Sequence, residues 1–387
     1  MIMEPGTFNI RHYAALAATV RHGSLTRASR AVHLTQPALT QAIARLEREL
    51  GVALFERGPS GMAPTAPALL LAPRAEAAIA HIGSPRVTGT QLRAWLAVAR
   101  AGSYAAAGES TGLSAASLHR AVADLSVALG QRLVDRRGRN IALTEAGRKR
   151  ARGFGLALAE LRAGLAEVAA WRGRATGRIA IGAMPLSRAR WLPGAIARFV
   201  VLHPGTDIAV IEGSHAELVG PLRDGEIDLV LGALRPRAGD AGPEQGGLVQ
   251  EAVFEDRPAL MMRPGHPLLS AAPPDGAALQ RYPWILPARG APLRQLWEDM
   301  MRAAGSEPPH VSIECGSVLT VRQLLLSGDG VTLLSPDQVA VELAAGVLAS
   351  LPPPVPVTRT IGITTRDTFH PTGAQADLLS ILRECAR

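Results

Sequence analysis

Apolar residues recur at helical spacing through the first 170 or so positions; after Gly177 they gather into short runs separated by amphipathic stretches. Near the start, Tyr13, Leu16, Ala17 and Val20 share one helical face, and His22-Gly23-Ser24 supplies a stop. A short helix is predicted from Leu25 to Val32. The turn His33-Leu34-Thr35-Gln36-Pro37 then opens a third, with Thr35 as its cap and Pro37 in the first turn, where a missing N–H costs little. Leu39, Ile43, Leu46 and Leu50 form its inward stripe, and Thr40, Gln41 and Arg45 lie on its outward face. Gly51 ends the helix, and Leu54-Phe55 to Met62 reads as a two-stranded wing around Gly58-Pro59-Ser60-Gly61.

The pattern then returns. Gly23-Ser24 aligns with Gly102-Ser103, an offset of 102 − 23 = 79. The same offset, without a gap, pairs Leu34 with Leu113, Leu39 with Leu118, Leu46 with Leu125, Leu50-Gly51 with Leu129-Gly130, Arg57 with Arg136 and Thr65 with Thr144. Such a register marks two copies of one small module. In the second, Leu92, Trp95, Leu96 and Ala99 line the first helix, Leu113-Ser114 opens the third, and Arg132 to Thr144 forms the wing. Between the copies, Pro67 to Ile82 is Ala- and Leu-rich and helical by composition, with an interruption predicted at Pro73 and a linker at Gly83-Ser84-Pro85. Beyond Thr144-Glu145-Ala146-Gly147 no proline occurs before Trp171. Leu156, Leu161, Leu165 and Val168 give that stretch an apolar face suited to pairing with another helix, although Gly153, Gly155 and Gly164 lower its helical propensity.

From Gly177 onward, strands are predicted at Ile179–Ala183, Ile208–Ile211, Leu229–Leu234, Ala259–Met262, Trp284–Leu286, Val311–Ile313, Val331–Leu334 and Thr360–Thr364. Helices are predicted at Arg188–Leu202, Ala216–Asp224, Leu293–Ala304, Val318–Leu326, Pro336–Ala345 and Gln375–Arg387. Strands alternating with helices predict an α/β sheet covered on both faces. The domain plan is therefore a first winged helix-turn-helix over 7–66, a helical connector and linker over 67–89, a second winged helix-turn-helix over 90–147, a linker and dimerisation helix over 148–174, and an α/β domain over 175–387.

Charge divides along the same line. Residues 1–150 hold 19 Lys+Arg against 9 Asp+Glu, and residues 151–387 hold 22 against 24, so a front half of net +10 precedes a back half of net −2. A polyanion partner is expected for the front half. The start MIMEPGTFNIRHY has neither a basic segment nor an apolar one of the secretory type, and no apolar run reaches the roughly 18 residues of a membrane helix. Cys315 and Cys385 are too few for a disulfide framework or a zinc site. The expectation is a soluble, cytoplasmic protein without metal or cofactor. The HExxH signature is absent, and Gly328-Asp329-Gly330 is too short for a phosphate loop.

The run GSLTRASRAVHLTQPALTQAIARLERELGVALFER, Gly23 to Arg57, resembles the helix-turn-helix signature of the LysR-type transcriptional regulators. Gly177-Arg178-Ile179-Ala180-Ile181-Gly182, Leu192-Pro193, His203-Pro204 and Gly225-Glu226-Ile227-Asp228-Leu229 are similar, in the same order, to that family's effector region. YPWILP (Tyr282–Pro287), LLSPDQV (Leu333–Val339) and RTIGITTR (Arg359–Arg366) resemble the subgroup around the galactose-binding-protein and protocatechuate-pathway regulators. A typical member has one reader, so the duplication is a departure. Copy one keeps Thr35-Gln36-Pro37-Ala38 but has Met62-Ala63-Pro64 in place of a basic wing. Copy two has Ser114-Ala115-Ala116-Ser117 at the helix start, yet keeps the basic Arg136-Arg137-Gly138-Arg139 and the closing Leu143-Thr144-Glu145-Ala146-Gly147.

The resemblance implies a sequence-specific DNA-binding regulator controlled by a small molecule and assembled as a dimer or tetramer. The candidate DNA contacts are Thr35, Gln36, Thr40, Gln41 and Arg45 in copy one, and Ser114, Ser117, Arg120, Arg136, Arg137 and Arg139 in copy two, with His119 nearby. Amide and guanidinium groups on a recognition helix discriminate base edges, whereas hydroxyls and wing arginines suit phosphates. The resemblance also makes 175–387 an effector-binding domain of two lobes, with a periplasmic-binding-protein-like cleft between them at strand ends. Ser187, Ser214 and Ser317 are its hydroxyl candidates and Arg188 and Arg235 its partners for an anionic sugar, sugar acid or aromatic acid. Ser187 and Ser317 have the plainer reading of helix caps. A second function class is a ligand-binding protein in which one or both reader copies serve only oligomerisation.

Overall fold

A computed structural model describes residues 9–58, 61–137, 140–174, 177–235, 246–270 and 274–386. The chain divides into two compact units. The first comprises residues up to Arg178 together with Pro204–Asp207 and Arg223–Glu226, and the second comprises the remainder.

The first unit opens with α1 (Ile10–His22), α2 (Leu25–Ala31), α3 (Gln36–Leu50), the hairpin β1 (Phe55–Gly58) and β2 (Gly61–Pro64), and α4 (Ala66–Ile82). The same series repeats as α5 (Gly89–Ala101), α6 (Tyr104–Thr111), α7 (Ala115–Leu129), β3 (Val134–Arg137), β4 (Asn140–Leu143) and α8 (Glu145–Trp171). The offset of 79 holds down to single hydrogen bonds. Thr35 Oγ1 accepts from the Ala38 N–H at 3.3 Å and Ser114 Oγ from the Ser117 N–H at 3.1 Å. Thr65 donates its hydroxyl to the Ala53 carbonyl at 2.8 Å, and Thr144 donates to Arg132 at 2.7 Å. Phe55 pairs with Pro64 in one wing and Val134 with Leu143 in the other. Gly23 and Gly102 end the first helix of each copy at φ of 60° and 69°, a left-handed turn that glycine adopts without strain. Leu16, Leu39 and Leu46 are buried in copy one, and Trp95, Leu118 and Leu125 in copy two, all within one continuous core.

Helices α4 and α8 fill the middle of that core and run antiparallel: Leu71 and Arg74 lie against Gly164, and His81 lies against Gly153. The glycines that weaken α8 as an isolated helix are needed here. A Cβ at Gly164 would stand 2.7 Å from Leu71 Cδ1 and 3.0 Å from Arg74 Cβ, and one at Gly153 would stand 2.6 Å from the His81 carbonyl oxygen. The interruption expected at Pro73 does not occur, and α4 runs through it. The carbonyl that loses its donor is that of Leu69, a residue on the exposed side of the helix, so no buried acceptor is orphaned. The apolar face of α8, expected to drive self-association, packs instead on α4 of its own chain, with Phe154, Ala157, Leu161 and Val168 buried.

An ionic cluster lies along the crossing. Arg74 donates through Nη1 to Glu160 at 3.0 Å and through Nη2 to Glu167 at 2.8 Å, with all three side chains largely buried. Burial alone would lower the arginine's pKa, but hydrogen bonds and charge from the two carboxylates outweigh it and raise the pKa above its ordinary value.

The second unit holds β5 (Gly177–Ala183), α9 (Trp191–Leu202), β6 (Thr206–Glu212), α10 (His215–Arg223), β7 (Leu229–Ala233), β8 (Leu248–Asp256), β9 (Ala259–Met262), α11 (Gly276–Leu279) and β10 (Ile285–Leu286). There follow α12 (Pro292–Ala303), β11 (Ile313–Glu314), α13 (Val318–Leu326), β12 (Thr332–Leu334), α14 (Ala340–Ala344), β13 (Ala349–Leu351), β14 (Arg359–Arg366) and α15 (Gly373–Glu384). One sheet has the order β6-β5-β7-β14-β8, and a smaller one the order β12-β9-β13. The chain passes from the large sheet to the small one after β8 and returns before β14, which makes two lobes. On one face of the large sheet lie Trp191 and Phe199 of α9 with Leu378 and Leu382 of α15. On the other, Leu218 and Leu222 of α10 pack with Val230. The small sheet is likewise covered twice, by Trp297 and Met300 of α12 and by Val321 and Leu325 of α13.

Two strands escaped the sequence pattern. β8, LVQEAVFED, mixes charges with apolar residues because it is an edge strand, and its register is set by antiparallel pairing with β14. β13 has three residues and is held by β9.

Arg74→Ala should destabilise the first unit by about 3–5 kcal/mol, since it leaves two carboxylates in the helix crossing without their cation. Chemical denaturation of the full chain followed by far-ultraviolet dichroism reads this, and an unchanged midpoint would mean that the cluster contributes nothing.

Candidate DNA-reading faces and effector cleft

In copy one, burying Leu39, Ala42, Ile43, Leu46 and Leu50 turns the opposite side of α3 outward. Thr35, Gln36, Thr40, Gln41 and Arg45 are all exposed there. Thr35 is spent on capping the helix, and Thr40 donates its hydroxyl to the Gln36 carbonyl at 3.0 Å. Gln36 Nε2 reaches Thr26 Oγ1 on α2 at 3.5 Å, and Arg45 is paired within the helix to Glu49 at 3.1 Å. The outward amides of Gln36 and Gln41 thus stand on a helix anchored by its own core.

In copy two the equivalent helix α7 buries Leu118, Val122 and Leu125 and exposes Ser114, Ser117, His119 and Arg120. Its two serines bond each other, Oγ to Oγ at 2.8 Å, and the His119 ring lies 5.2 Å from that of Tyr104. The offset places Ala115 where copy one has Gln36, His119 for Thr40, Arg120 for Gln41 and Asp124 for Arg45. Arg136 and Arg137 fall on β3, and Arg139 lies outside the described residues.

In the binding domain β5 and β7 run parallel, so their carboxyl ends share an edge, and the Gly213 N–H reaching the Ala183 carbonyl brings the end of β6 to it. Arg188 forms an ion pair with Glu212, tying the loop after β5 to the end of β6. Ser214 accepts from the Glu217 N–H while its own N–H donates to the Glu217 carboxylate at 2.7 Å. That backbone donor and the Ser214 hydroxyl lower the Glu217 pKa. Arg235 follows β7, and its N–H donates to Gln250 Oε1 of β8 at 2.9 Å. Ser317 is exposed at the start of α13 in the other lobe and caps it through the Thr320 N–H at 3.4 Å.

Ser187 departs from expectation. It is fully buried, and its hydroxyl donates to the Met184 carbonyl at 2.8 Å and to Leu231 at 3.3 Å. The tight turn after β5 folds it back between the ends of β5 and β7, so it holds the loop rather than facing a ligand. Sequence reasoning missed Arg190, which reaches Asp337 of the other lobe at 3.3 Å. Its partner stands 147 positions away, and no local signal announces such a pair.

Among the described residues no group of three or more His, Cys, Asp or Glu is placed to hold a metal ion, and no helix is long and apolar enough to cross a membrane.

Two winged helix-turn-helix modules followed by a two-lobed α/β domain are the architecture of a ligand-responsive DNA-binding regulator. Comparison with known proteins agrees. The family described as bacterial regulatory helix-turn-helix protein, lysR family, matches residues 10–69 and again 90–148, and the LysR substrate binding domain matches residues 172–387. The HTH-type transcriptional regulator GalR of Pseudomonas putida is 32% identical over 390 residues, covering 97% of each chain, a span that takes in both readers. PcaQ of Agrobacterium fabrum is 29% identical over 303 residues, 78% of this chain and 96% of PcaQ. Among solved structures, a full-length OxyR from Pseudomonas aeruginosa shares the fold with a TM-score of 0.58 at 23% identity, covering 78% of this chain and 95% of that one. CbnR does so with a TM-score of 0.53 at 20% identity, covering 77% and 99%. The chain belongs to the LysR family of transcriptional regulators, and it is a regulator with an effector-binding domain, not an enzyme.

Ser187→Ala should lower the stability of the binding domain by about 1 kcal/mol, a typical net loss for a buried hydroxyl bond. A thermal melt of the full chain measures it, and a variant as stable as the parent would contradict a structural role for this hydroxyl.

Proposed function

We propose that the two reader copies divide the DNA contact. Copy one reads bases through Gln36, Thr40 and Gln41, with Thr35 and Arg45 nearer the backbone. Copy two anchors on phosphates through Ser114, Ser117, Arg120 and the wing arginines Arg136, Arg137 and Arg139. The observation that carries this reading is the outward face of α3, where Gln36 and Gln41 are exposed while the matching positions of α7 are Ala115 and Arg120. Amides pair with adenine edges in the major groove, whereas hydroxyls and guanidinium groups suit phosphates.

The effector site lies at the strand ends between the lobes, with Arg188 and Arg235 facing an anionic group and Ser214 and Ser317 offering hydroxyls. A sugar, sugar acid or aromatic acid fits this chemistry. A carboxylate entering there competes with Glu212 for Arg188, and ligand closing the lobes bears on the exposed Arg190–Asp337 pair. A cytoplasmic location follows from the DNA partner. Assembly into a dimer or tetramer belongs to the same proposal. With the face of α8 occupied in its own chain, the exposed Val200, Val201 and Leu202 of α9 and the edge strand β6 are the apolar surface that supports it.

Gln36→Ala should reduce the preference for a selected site over random DNA by about 1–3 kcal/mol, while Arg137→Ala weakens binding to both alike. Titrations of both variants at two salt concentrations test this, and equal specificity ratios would end the division of labour. Affinity of the parent must also fall steeply with salt as counterions are released. For the effector, Ser317→Ala should weaken binding by about 1 kcal/mol while leaving the DNA titration without ligand unchanged. A thermal-shift hit from sugar acids or aromatic carboxylates that binds the Ser317 and Arg188 variants as it binds the parent would move the site elsewhere.

A further inference from the structure

The crossing of α4 and α8 carries an internal symmetry. Position i of copy one corresponds to i + 79 of copy two. His81 meets Gly153, and Arg74 pairs with Glu160. These are one contact seen from its two ends, because 81 + 79 = 160 and 74 + 79 = 153. Midway between them stand Ala78 and Ala157, which are themselves equivalent, since 78 + 79 = 157, and which are 1% and 0% exposed. A contact set that maps onto itself when the copies are exchanged is isologous, the signature of a twofold axis. Copies strung along a chain by plain translation would instead bring unlike surfaces together.

We propose that the two readers of a single chain form a two-armed head with an approximate internal twofold axis between Ala78 and Ala157, fitted to two neighbouring DNA half-sites in inverted orientation. This rests on the DNA-binding reading above. Duplex DNA has local twofold axes, and a protein twofold sets two recognition helices against half-sites of opposite direction. One chain therefore covers an inverted pair of half-sites, a task that takes two chains when each has one reader. The symmetry is that of the scaffold alone. Across the axis Gln36 is answered by Ala115, Thr40 by His119, Gln41 by Arg120 and Arg45 by Asp124. The two arms of the site accordingly differ in base preference, and the chain sits on DNA in one orientation.

The test uses the full-length chain and duplexes carrying the site it selects from random DNA, with the weaker arm intact, flipped to a direct repeat, or scrambled. Flipping or scrambling that arm should cost at least about tenfold in affinity, and native mass spectrometry at saturating duplex should count one two-arm duplex for every chain, whatever the assembly. A direct repeat bound as tightly as the inverted one, or one two-arm duplex for every two chains at saturation, overturns the proposal. In a Cys315→Ser, Cys385→Ser background, Ala78→Cys with Ala157→Cys, both buried at the crossing, should close a disulfide with each other on mild oxidation within one chain, at monomer mass and with two-arm binding retained. A link between chains would show that α4 and α8 pair in trans and would equally overturn it. The cross-link and the wild-type stoichiometry are read independently, so a poorly folded variant does not decide the matter. Failure to bind any duplex would sink the DNA reading itself, whereas binding that ignores the second arm sinks this inference alone.

Discussion

The close approach of α4 to α8 is the constraint on which the first unit depends. Two helices can come this near only where side chains vanish, and Gly153 and Gly164 remove them at the points where His81, Leu71 and Arg74 press in. Each glycine costs about 1 kcal/mol of helix propensity against alanine. Burial of Leu71, Ala75, Ala78, Ala157 and Leu161 in one core offsets that cost. Arg74 with Glu160 and Glu167 adds less to net stability than to register, because its desolvation penalty consumes much of the Coulombic gain. A slide of either helix by one turn would part the guanidinium from both carboxylates, so the cluster helps to select one alignment.

Duplication separated scaffold from surface. The groups that build each module have held their places: the capping hydroxyls of Thr35 and Ser114, the hydroxyls of Thr65 and Thr144, and the buried stripes of α3 and α7. Those groups answer to packing and backbone satisfaction, which both copies must meet. The outward positions answer to a partner, and there the copies differ at each site from Gln36 and Ala115 to Arg45 and Asp124. A module can change its outward face in this way without changing how it folds.

In the binding domain the same division runs through the serines. Ser187 and Ser317 look alike in sequence, each following a strand and preceding a helical stretch. The structure spends Ser187 on two carbonyls in the core and leaves Ser317 exposed at a helix start. The difference arises from the turn after β5, which doubles back toward β7, whereas β11 passes directly into α13. Arg188 and Arg190 are each held by an acid from another part of the chain, Glu212 and Asp337.

Much of this was legible in the amino-acid order. Helical periodicity, glycine stops and the 79-residue offset located both readers, because those features arise from contacts within a few turns of chain and survive in any local reading. Alternating apolar runs likewise located most strands of the two lobes. The partner of α8 was not legible, since an apolar face declares that it must be covered but not by what, and its glycines count against it until the helix that fills their place is known. Pro73 was misjudged for a related reason: whether a proline breaks a helix depends on which side of it meets water. β8 was missed because an edge strand exposed on one face need not be apolar, and Arg190 because its carboxylate arrives from another lobe. Local sequence determined the elements and their caps, and tertiary structure decided which surfaces they spend on one another.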